Sequence, residues 1–279
     1  MLKARVITAL VLLACVLVAL FWLPPIGWTV VVISVIALAA WEWSALAGMA
    51  GSGRVAYSGL TALIFFVLAS WMFGWPGQES RVLRGALSTA YVVGMAFWTL
   101  VVPLWLARGH LRVGTVAALI GWLVLLPAGL AMVHVRGVAP APLWLLGTMA
   151  GVWAADIAAY FAGRAFGRHK LAPAISPGKT WEGVCGAVLG VWVYAFVVAA
   201  VSAELGDYGW KGILIGAAGL VLLTAVSVVG DLFESLAKRS AGVKDSGTLL
   251  PGHGGVLDRV DSLTSTLPMI GFILLMWRG

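Results

Sequence analysis

The chain is poor in charged residues, and this scarcity excludes an ordinary soluble domain. Asp, Glu, Lys and Arg together make up 10% of its 279 residues, against roughly 25% in soluble domains. Cysteine is also scarce, because Cys15 and Cys185 stand alone in apolar segments without CxxC spacing. They predict neither a disulfide framework nor a cysteine metal site. Hydrophobic residues make up 62% of the chain, which indicates a polytopic membrane protein.

Apolar runs long enough to cross a bilayer occur about nine times. A crossing needs about 20 apolar residues, because each residue of a helix spans 1.5 Å of a hydrocarbon layer roughly 30 Å thick. Backbone polar groups in lipid must be satisfied within the segment, so we expect an all-α bundle. The runs are 6–23, 27–43, 56–74, 87–107, 113–133, 141–163, 183–203, 211–233 and 262–277.

The distribution of cations orients the chain, because positively charged flanks stay in the cytoplasm. With a cytoplasmic N-terminus, 13 of the 18 Lys and Arg lie on the cytoplasmic side. Both long polar connections, 164–182 and 234–261, are then cytoplasmic. The net charge of +7 indicates a basic face toward anionic lipid rather than nucleic acid.

Acidic residues divide the chain into two regions. Nine of the 11 Asp and Glu lie between positions 156 and 261, and seven of these nine lie on or near the predicted cytoplasmic side. We therefore expect residues 1–140 to form a transmembrane scaffold and residues 141–279 to carry the catalytic site with its two polar loops.

Asp156 is an ionisable residue inside an apolar run. A carboxylate there costs about 2.5 to 3.5 kcal/mol on insertion scales, so it should face the bundle interior with a cation or a metal ion. A structural salt bridge, to Arg164 or to a Lys of the next loop, is an equal alternative. Small residues recur every four positions in the same run and permit close helix contact, at Ala155, Ala159 and Gly163.

The loop that follows carries Ser176-Pro-Gly-Lys-Thr180, which resembles half of a phosphate loop. The Gly-x4-Gly-Lys-Ser/Thr spacing is absent, so this is not a nucleotide-binding loop of that type. It can still bind an anion as a turn that feeds a helix beginning near Trp181, where free N–H groups favour phosphate.

A second polar group lies at the end of the eighth run. Asp231, Glu234, Ser235 and Lys238 recur at three- and four-residue spacing and share a helix face. Asp258 and Asp261 share another face if the last helix begins a turn before Ser262. Carboxylates from two elements could then converge on Mg²⁺, which prefers oxygen ligands and bridges substrate phosphates.

Between these elements, Gly252-His253-Gly254-Gly255 predicts a tight turn whose backbone approaches a phosphate closely. Cations flank this turn on both sides, at Lys238, Arg239, Lys244 and Arg259.

The stretch from Ser235 to Asp261 resembles the phosphatidate cytidylyltransferase, or CDP-diacylglycerol synthase, family. That family's pattern reads Ser-x-apolar-Lys-Arg, then Lys-Asp, then His-Gly-Gly-apolar-x-Asp-Arg-apolar-Asp, and each element is present here over 27 residues. Asp156 and the 176–182 stretch also resemble the family.

The resemblance implies that CTP and phosphatidic acid react, with Mg²⁺ and with or without a second cation, to give CDP-diacylglycerol and pyrophosphate. It also implies a multi-pass protein of the bacterial cytoplasmic (inner) membrane, with the site facing the cytoplasm, and it suggests a homodimer. The reaction needs no protein nucleophile, so positioning and charge neutralisation should carry it.

Within the resemblance we assign roles residue by residue. Asp231, Asp258 and Asp261 are the expected metal ligands, with Asp245 as a weaker candidate. His253 is expected to donate a hydrogen bond to a phosphate or, as the less favoured role, to act as a general base. The phosphates of CTP and lipid would be held by Lys238, Arg239, Lys244 and Arg259 with the backbone of Gly254 and Gly255, and the other loop would close the site with Ser176 and Lys179.

Three other functions compete with this interpretation. A secondary transporter would explain an intramembrane carboxylate, but the charges cluster at one face rather than at mid-membrane. A CDP-alcohol phosphotransferase would need an Asp-Gly-x2-Ala-Arg motif, which the sequence lacks. A cytidylyltransferase for another lipid phosphate stays open.

Overall fold

The computed structural model describes residues 2–73, 81–111, 114–138, 142–201, 209–250, 252 and 254–277. Long helices dominate these residues. The helices are α1 Leu2–Trp22, α2 Pro25–Leu46, α3 Ser52–Phe73, α4 Arg81–Ala96, α5 Val102–Arg108, α6 Thr115–Gly137, α7 Leu143–Phe166, α8 Trp181–Val201, α9 Gly209–Ser240 and α10 Leu257–Trp277. A π-helical turn, Phe97–Val101, joins α4 to α5.

Across these ranges, eight helical segments are long and apolar enough to span a membrane, with α4 and α5 counted as one segment. The apolar part of α1, Ile7–Trp22, is shorter. The protein is therefore an all-α polytopic membrane protein, as the composition predicts. Each apolar run overlaps a helix. Helix α9 extends past the end of its run, to Ser240, and α10 begins before its run, at Leu257, because polar residues of the site occupy those helix ends.

The π-helical turn has a cause in the sequence. Pro103 has no backbone N–H, so the carbonyl of Thr99 loses its usual donor four residues on. The backbone N–H of Val102 bonds the carbonyl of Phe97, five residues back. The turn directs Phe97 and Trp98 onto Phe233 of α9, with ring centroids 5.8 and 5.5 Å away.

A small antiparallel sheet interrupts the helices between α7 and α8. It pairs β1, Lys170–Ala172, with β2, Ser176–Thr180. The Ser-Pro-Gly-Lys-Thr stretch is therefore a strand rather than the predicted turn. Its last residue caps α8, because the Thr180 hydroxyl accepts a hydrogen bond from the Gly183 N–H at 3.1 Å.

Helices α7 and α8 pack closely through small residues. A Cβ atom added to Gly186 would lie 2.2 Å from the Cβ of Ala162, and one added to Gly190 would lie 2.4 Å from the Cβ of Ala158. Gly163 lies against Gly183 in the same contact. The prediction that small residues of this run permit close helix contact is confirmed.

The last helix packs against both halves of the chain. Helix α10 contacts α4 and α6 as well as α7 and α9. Its first turn also meets the end of α2, because Glu42 accepts hydrogen bonds there. The division at residue 140 stays a prediction, and the contacts join the two regions through α10.

Candidate active site

A cavity of about 670 Å³ opens among α7, the hairpin, α8, α9 and α10. Residues from both long polar connections line it, including Lys179 of the hairpin and Lys244 of the segment after α9. The two connections therefore lie at the same end of the bundle. The cavity also follows α9 toward the bundle interior as far as Thr224, which lies about 22 Å from Arg239 at 1.5 Å per residue.

The predicted polar face of α9 lines this cavity. Asp231, Ser235 and Lys238 all contribute to its wall. Glu234, which lies on the same turn, is buried, with 4% of its surface exposed. Helical spacing alone therefore located this part of the site.

Asp258 is placed by donors from the protein. Its Oδ2 accepts hydrogen bonds from the Ser246 N–H at 3.0 Å, the Ser246 hydroxyl at 2.9 Å and the Gly255 N–H at 2.8 Å. Its Oδ1 lies 2.5 Å from the Lys238 ammonium. Three donors therefore occupy Oδ2, and a metal ion at Asp258 would have to share Oδ1 with the Lys238 ammonium.

Lys238 lies between two carboxylates. Its Nζ contacts Asp258 and also Glu234, at 3.1 Å, and 13% of its side chain is exposed. Two carboxyl groups thus contact this cation before any substrate arrives. A phosphate that reaches Lys238 would compete with both of them.

Three further carboxylates lie close together along the same cavity. Asp156 of α7, Asp231 of α9 and Asp261 of α10 line it and interact electrostatically with one another. Lys179 of β2 pairs with Asp231 at 2.6 Å. The hairpin therefore brings a cation to the point where three helices present carboxylates.

The structure shows what surrounds Asp156. The Arg164 guanidinium donates to the Tyr160 hydroxyl at 3.1 Å. Among the described residues, Asp156 has no ion pair within 4.0 Å. Asp156 lines the cavity, and it interacts electrostatically with Lys179, a Lys of the loop that follows α7.

The predicted phosphate-binding turn has another partner. Gly252 and Gly254 adopt positive φ angles of 76° and 79°, as a tight turn requires. The Gly255 N–H donates to Asp258, so it is not free for a phosphate in this conformation. Gly254 packs on the same carboxylate, since an added Cβ would lie 2.6 Å from Oδ2. His253 lies outside the described residues.

The remaining predicted residues form the rim of the cavity. Arg239, Lys244 and Arg259 are exposed and line it, as does Asp245. Ser176 lines it from the hairpin. These cations are therefore accessible to an anion that enters from the end of the bundle.

The hairpin itself is tied down at its base. The His169 Nδ1 lies 2.6 Å from Glu182, and the His169 N–H donates to the same carboxylate at 3.2 Å. The Trp181 N–H donates to the His169 carbonyl at 3.0 Å. These contacts fix the strand that carries Lys179.

Glu42, a buried carboxylate of α2, is not among the predicted site residues. It accepts hydrogen bonds from the Val256 and Leu257 N–H groups, at 2.9 and 2.8 Å, and from the Ser246 hydroxyl at 3.0 Å. The sequence offered one signal for Glu42. Burying a carboxylate in an apolar helix costs free energy unless other groups pair with it, so Glu42 had to have partners.

The carboxylates of the cavity limit how a metal ion could be held. Within the described ranges, His, Cys, Asp and Glu side chains form no group of three at metal-binding spacing. Mg²⁺ usually keeps several waters and needs one or two carboxylates. Asp231 and Asp261, which line one cavity on neighbouring helices, fit that smaller requirement.

Known proteins resemble this chain along its whole length. The model of the family described as "Cytidylyltransferase family" matches residues 3–277. A phosphatidate cytidylyltransferase of Pseudomonas aeruginosa is 40% identical over 284 residues, which cover 100% of this chain and 98% of the relative. Its namesake in Haemophilus influenzae is 36% identical over 292 residues, with 98% of each chain covered. One from Brucella suis is 36% identical over 273 residues, covering 96% and 92%.

Proposed function

This chain belongs to the cytidylyltransferase family, and on that premise we propose that it is a phosphatidate cytidylyltransferase of the bacterial cytoplasmic membrane. CTP and phosphatidic acid are its proposed substrates, and CDP-diacylglycerol and pyrophosphate its products. The observation that carries the proposal is the cavity, which joins carboxylates to exposed cations at one end of a membrane-spanning bundle.

The reaction joins two polyanions without a protein nucleophile. A phosphate oxygen of phosphatidic acid attacks the α-phosphorus of CTP and forms the new P–O bond. The bond from the α-phosphorus to the oxygen that bridges it to the β-phosphorus breaks, and pyrophosphate leaves with that electron pair. The protein must therefore hold the two phosphates together and neutralise their repulsion.

The rim cations suit the first of these tasks. Arg239, Lys244 and Arg259 are exposed around the cavity and would hold the triphosphate and the lipid phosphate. Lys179 would approach substrate from the hairpin with Ser176. For His253, the proposed role is still to donate a hydrogen bond to a phosphate.

Mg²⁺ would be held by Asp231 and Asp261 and, when bound, would neutralise phosphate charge. The wider ligand set that includes Asp258 stays a prediction. The donors on Asp258 favour another role, in which this carboxylate holds Lys238 at the cavity wall. Asp245 at the rim is the weaker candidate ligand.

The test is an assay of the purified protein in detergent. With CTP, Mg²⁺ and phosphatidic acid, we expect pyrophosphate release and a cytidine-containing lipid product. A panel of polyprenyl and ether-lipid phosphates identifies the acceptor, since a preference for one of these would replace phosphatidic acid. Absence of pyrophosphate with every acceptor would contradict the proposal, and transport that requires sealed vesicles would support the transporter instead.

The substitution Asp261→Asn tests the proposed metal site. Removing the negative charge should lower kcat by about 100-fold or more, as loss of a single electrostatic contact in an active site does. The Mg²⁺ concentration for half-maximal rate should rise, while gel filtration in detergent shows a folded protein. Wild-type turnover and wild-type Mg²⁺ dependence would remove Asp261 from the site.

A further inference from the structure

Glu42 is a buried carboxylate that lies far from the active site in sequence. It belongs to α2, in the region expected to be scaffold, and 3% of its surface is exposed. Its Oε1 accepts a hydrogen bond from the Val256 N–H and its Oε2 accepts one from the Leu257 N–H. These are N–H groups at the start of α10, which lack partners within the helix and favour a negative charge.

In the segment 241–256, which joins α9 to α10, the described residues Ser246, Gly247 and Gly255 pack around this carboxylate. A Cβ atom added to Gly247 would lie 2.6 Å from the Glu42 Oε1, and one added to Gly255 would lie 2.3 Å from its Oε2. Both distances are shorter than real Cβ contacts, so a side chain at either position would force Glu42 or the backbone to shift. Glycine at these positions therefore lets the backbone close on Glu42.

A short chain of polar contacts connects Glu42 to the cavity. The Ser246 hydroxyl lies 3.0 Å from the Glu42 Oε2 and 2.9 Å from the Asp258 Oδ2, and its single proton can serve one of them at a time. Asp258 in turn holds Lys238, which lines the cavity. Displacement of Glu42 would therefore reach Lys238 through two intervening side chains.

We propose that Glu42 is a positioning residue for nucleotidyl transfer, which fixes the start of α10 and thereby holds Asp258 and Lys238 in place at the cavity wall. It does not touch substrate. The kinetic part of this inference rests on the proposed function, whereas the anchoring of the segment 241–256 does not.

The test compares two variants that each remove one buried polar contact between segments. Glu42→Gln keeps the size of the side chain but loses the charge. Its amide N–H₂ group would face a backbone N–H group, of Val256 or of Leu257, and two donors cannot bond each other. Tyr57→Phe is the matched control, because the Tyr57 hydroxyl donates to the Ala118 carbonyl at 2.7 Å between α3 and α6, away from the cavity. Both should lower the melting temperature.

Only Glu42→Gln should change the kinetics. We expect its kcat per folded molecule to fall on the order of 10–100-fold, as for substitutions of groups that orient site residues, while Tyr57→Phe keeps the wild-type kcat. Equal kcat in wild type and Glu42→Gln would overturn the inference. The inference would also be overturned if the activity of both variants fell only in proportion to the fraction of folded protein.

Amide hydrogen exchange supplies a readout that does not need activity. Peptides that cover 244–258 should exchange faster in Glu42→Gln than in wild type, and Tyr57→Phe should leave them unchanged. Unchanged exchange in Glu42→Gln would overturn the anchoring, whether or not the wild-type protein is active. A wild-type protein without cytidylyltransferase activity would count against the proposed function alone. Should Glu42→Gln not fold, Ser246→Ala removes the hydroxyl between the two carboxylates and must show the same loss of kcat.

Discussion

Lys179 and Asp231 form an ion pair between the hairpin and α9, at 2.6 Å and with 23% and 32% of the side chains exposed. The pair leaves Asp231 neutralised by a cation that arrives from another element. A divalent ion or a substrate phosphate would redistribute these charges, so the position of the ammonium matters as well as its sign. The hairpin, which the His169–Glu182 contact fixes at its base, sets that position.

This geometry predicts that Lys179→Arg is not conservative. The guanidinium is a planar fork, whereas the ammonium is a compact point charge that meets one carboxylate oxygen. Turnover with CTP should fall on the order of tenfold, as when a group that orients a metal ligand is changed. Lys170→Arg, an exposed position on β1, is the matched control and should keep the wild-type rate. Equal rates in both variants would make Lys179 a topology signal only.

At this scale, sequence reasoning succeeded where partners lie within one helix. The shared face of Asp231, Ser235 and Lys238 follows from helical periodicity. The partners of Asp258 were not readable, because Ser246 and Lys238 lie 12 and 20 residues away across a loop of unknown shape. Glu42 meets Leu257 across 215 residues, and no local pattern encodes such a contact.

Among the elements, the α7–α8 pair places the hairpin and Asp156 on one wall of the cavity. The two helices leave no room for a Cβ atom at Gly186 or Gly190, which face Ala162 and Ala158. Such small-residue contacts hold membrane helices together without a hydrophobic driving force. A larger side chain must push the two helices apart.

We therefore predict that Gly186→Leu destabilises the protein. The added side chain meets Ala162 at a distance that no real Cβ contact shows, and overpacking of this kind costs about 1–3 kcal/mol. The melting temperature in detergent should fall, and activity should fall with it because α7 carries Asp156. Gly219→Leu on α9 is the control, since a Cβ there meets nothing within 4 Å. An equal effect of both changes would show that packing against α7 is not the cause.

The elements themselves were largely predictable, because length and apolarity select helices in a membrane. One feature was not predicted. The hairpin was not visible, since β1 and β2 are short strands whose residues show no alternating pattern. The ends of α9 and α10 lie beyond the apolar runs, as the helical spacing of Asp231 with Lys238 and of Asp258 with Asp261 predicted.

For the whole molecule, the site and the scaffold are physically connected. All the cavity-lining residues of the described chain fall between positions 155 and 262, in the region that the acidic residues marked. Glu42 and the packing of α10 on α4 and α6 nevertheless tie that region to the first half. The predicted division at residue 140 describes which part of the chain lines the cavity, whereas contacts from the entire bundle stabilise the fold.

The orientation of the bundle yields the last prediction. The excess of Lys and Arg predicts that the cavity end of the bundle lies in the cytoplasm. After Cys15 and Cys185 are replaced by Ala, Lys170→Cys on the hairpin should react with a membrane-impermeant maleimide only after the cells are permeabilised. Arg81→Cys, an exposed position at the start of α4 and at the opposite predicted end, should react in intact spheroplasts. Labelling with the two positions reversed would place the cavity outside, where cytoplasmic CTP could not reach it, and would contradict both the orientation and the proposed reaction.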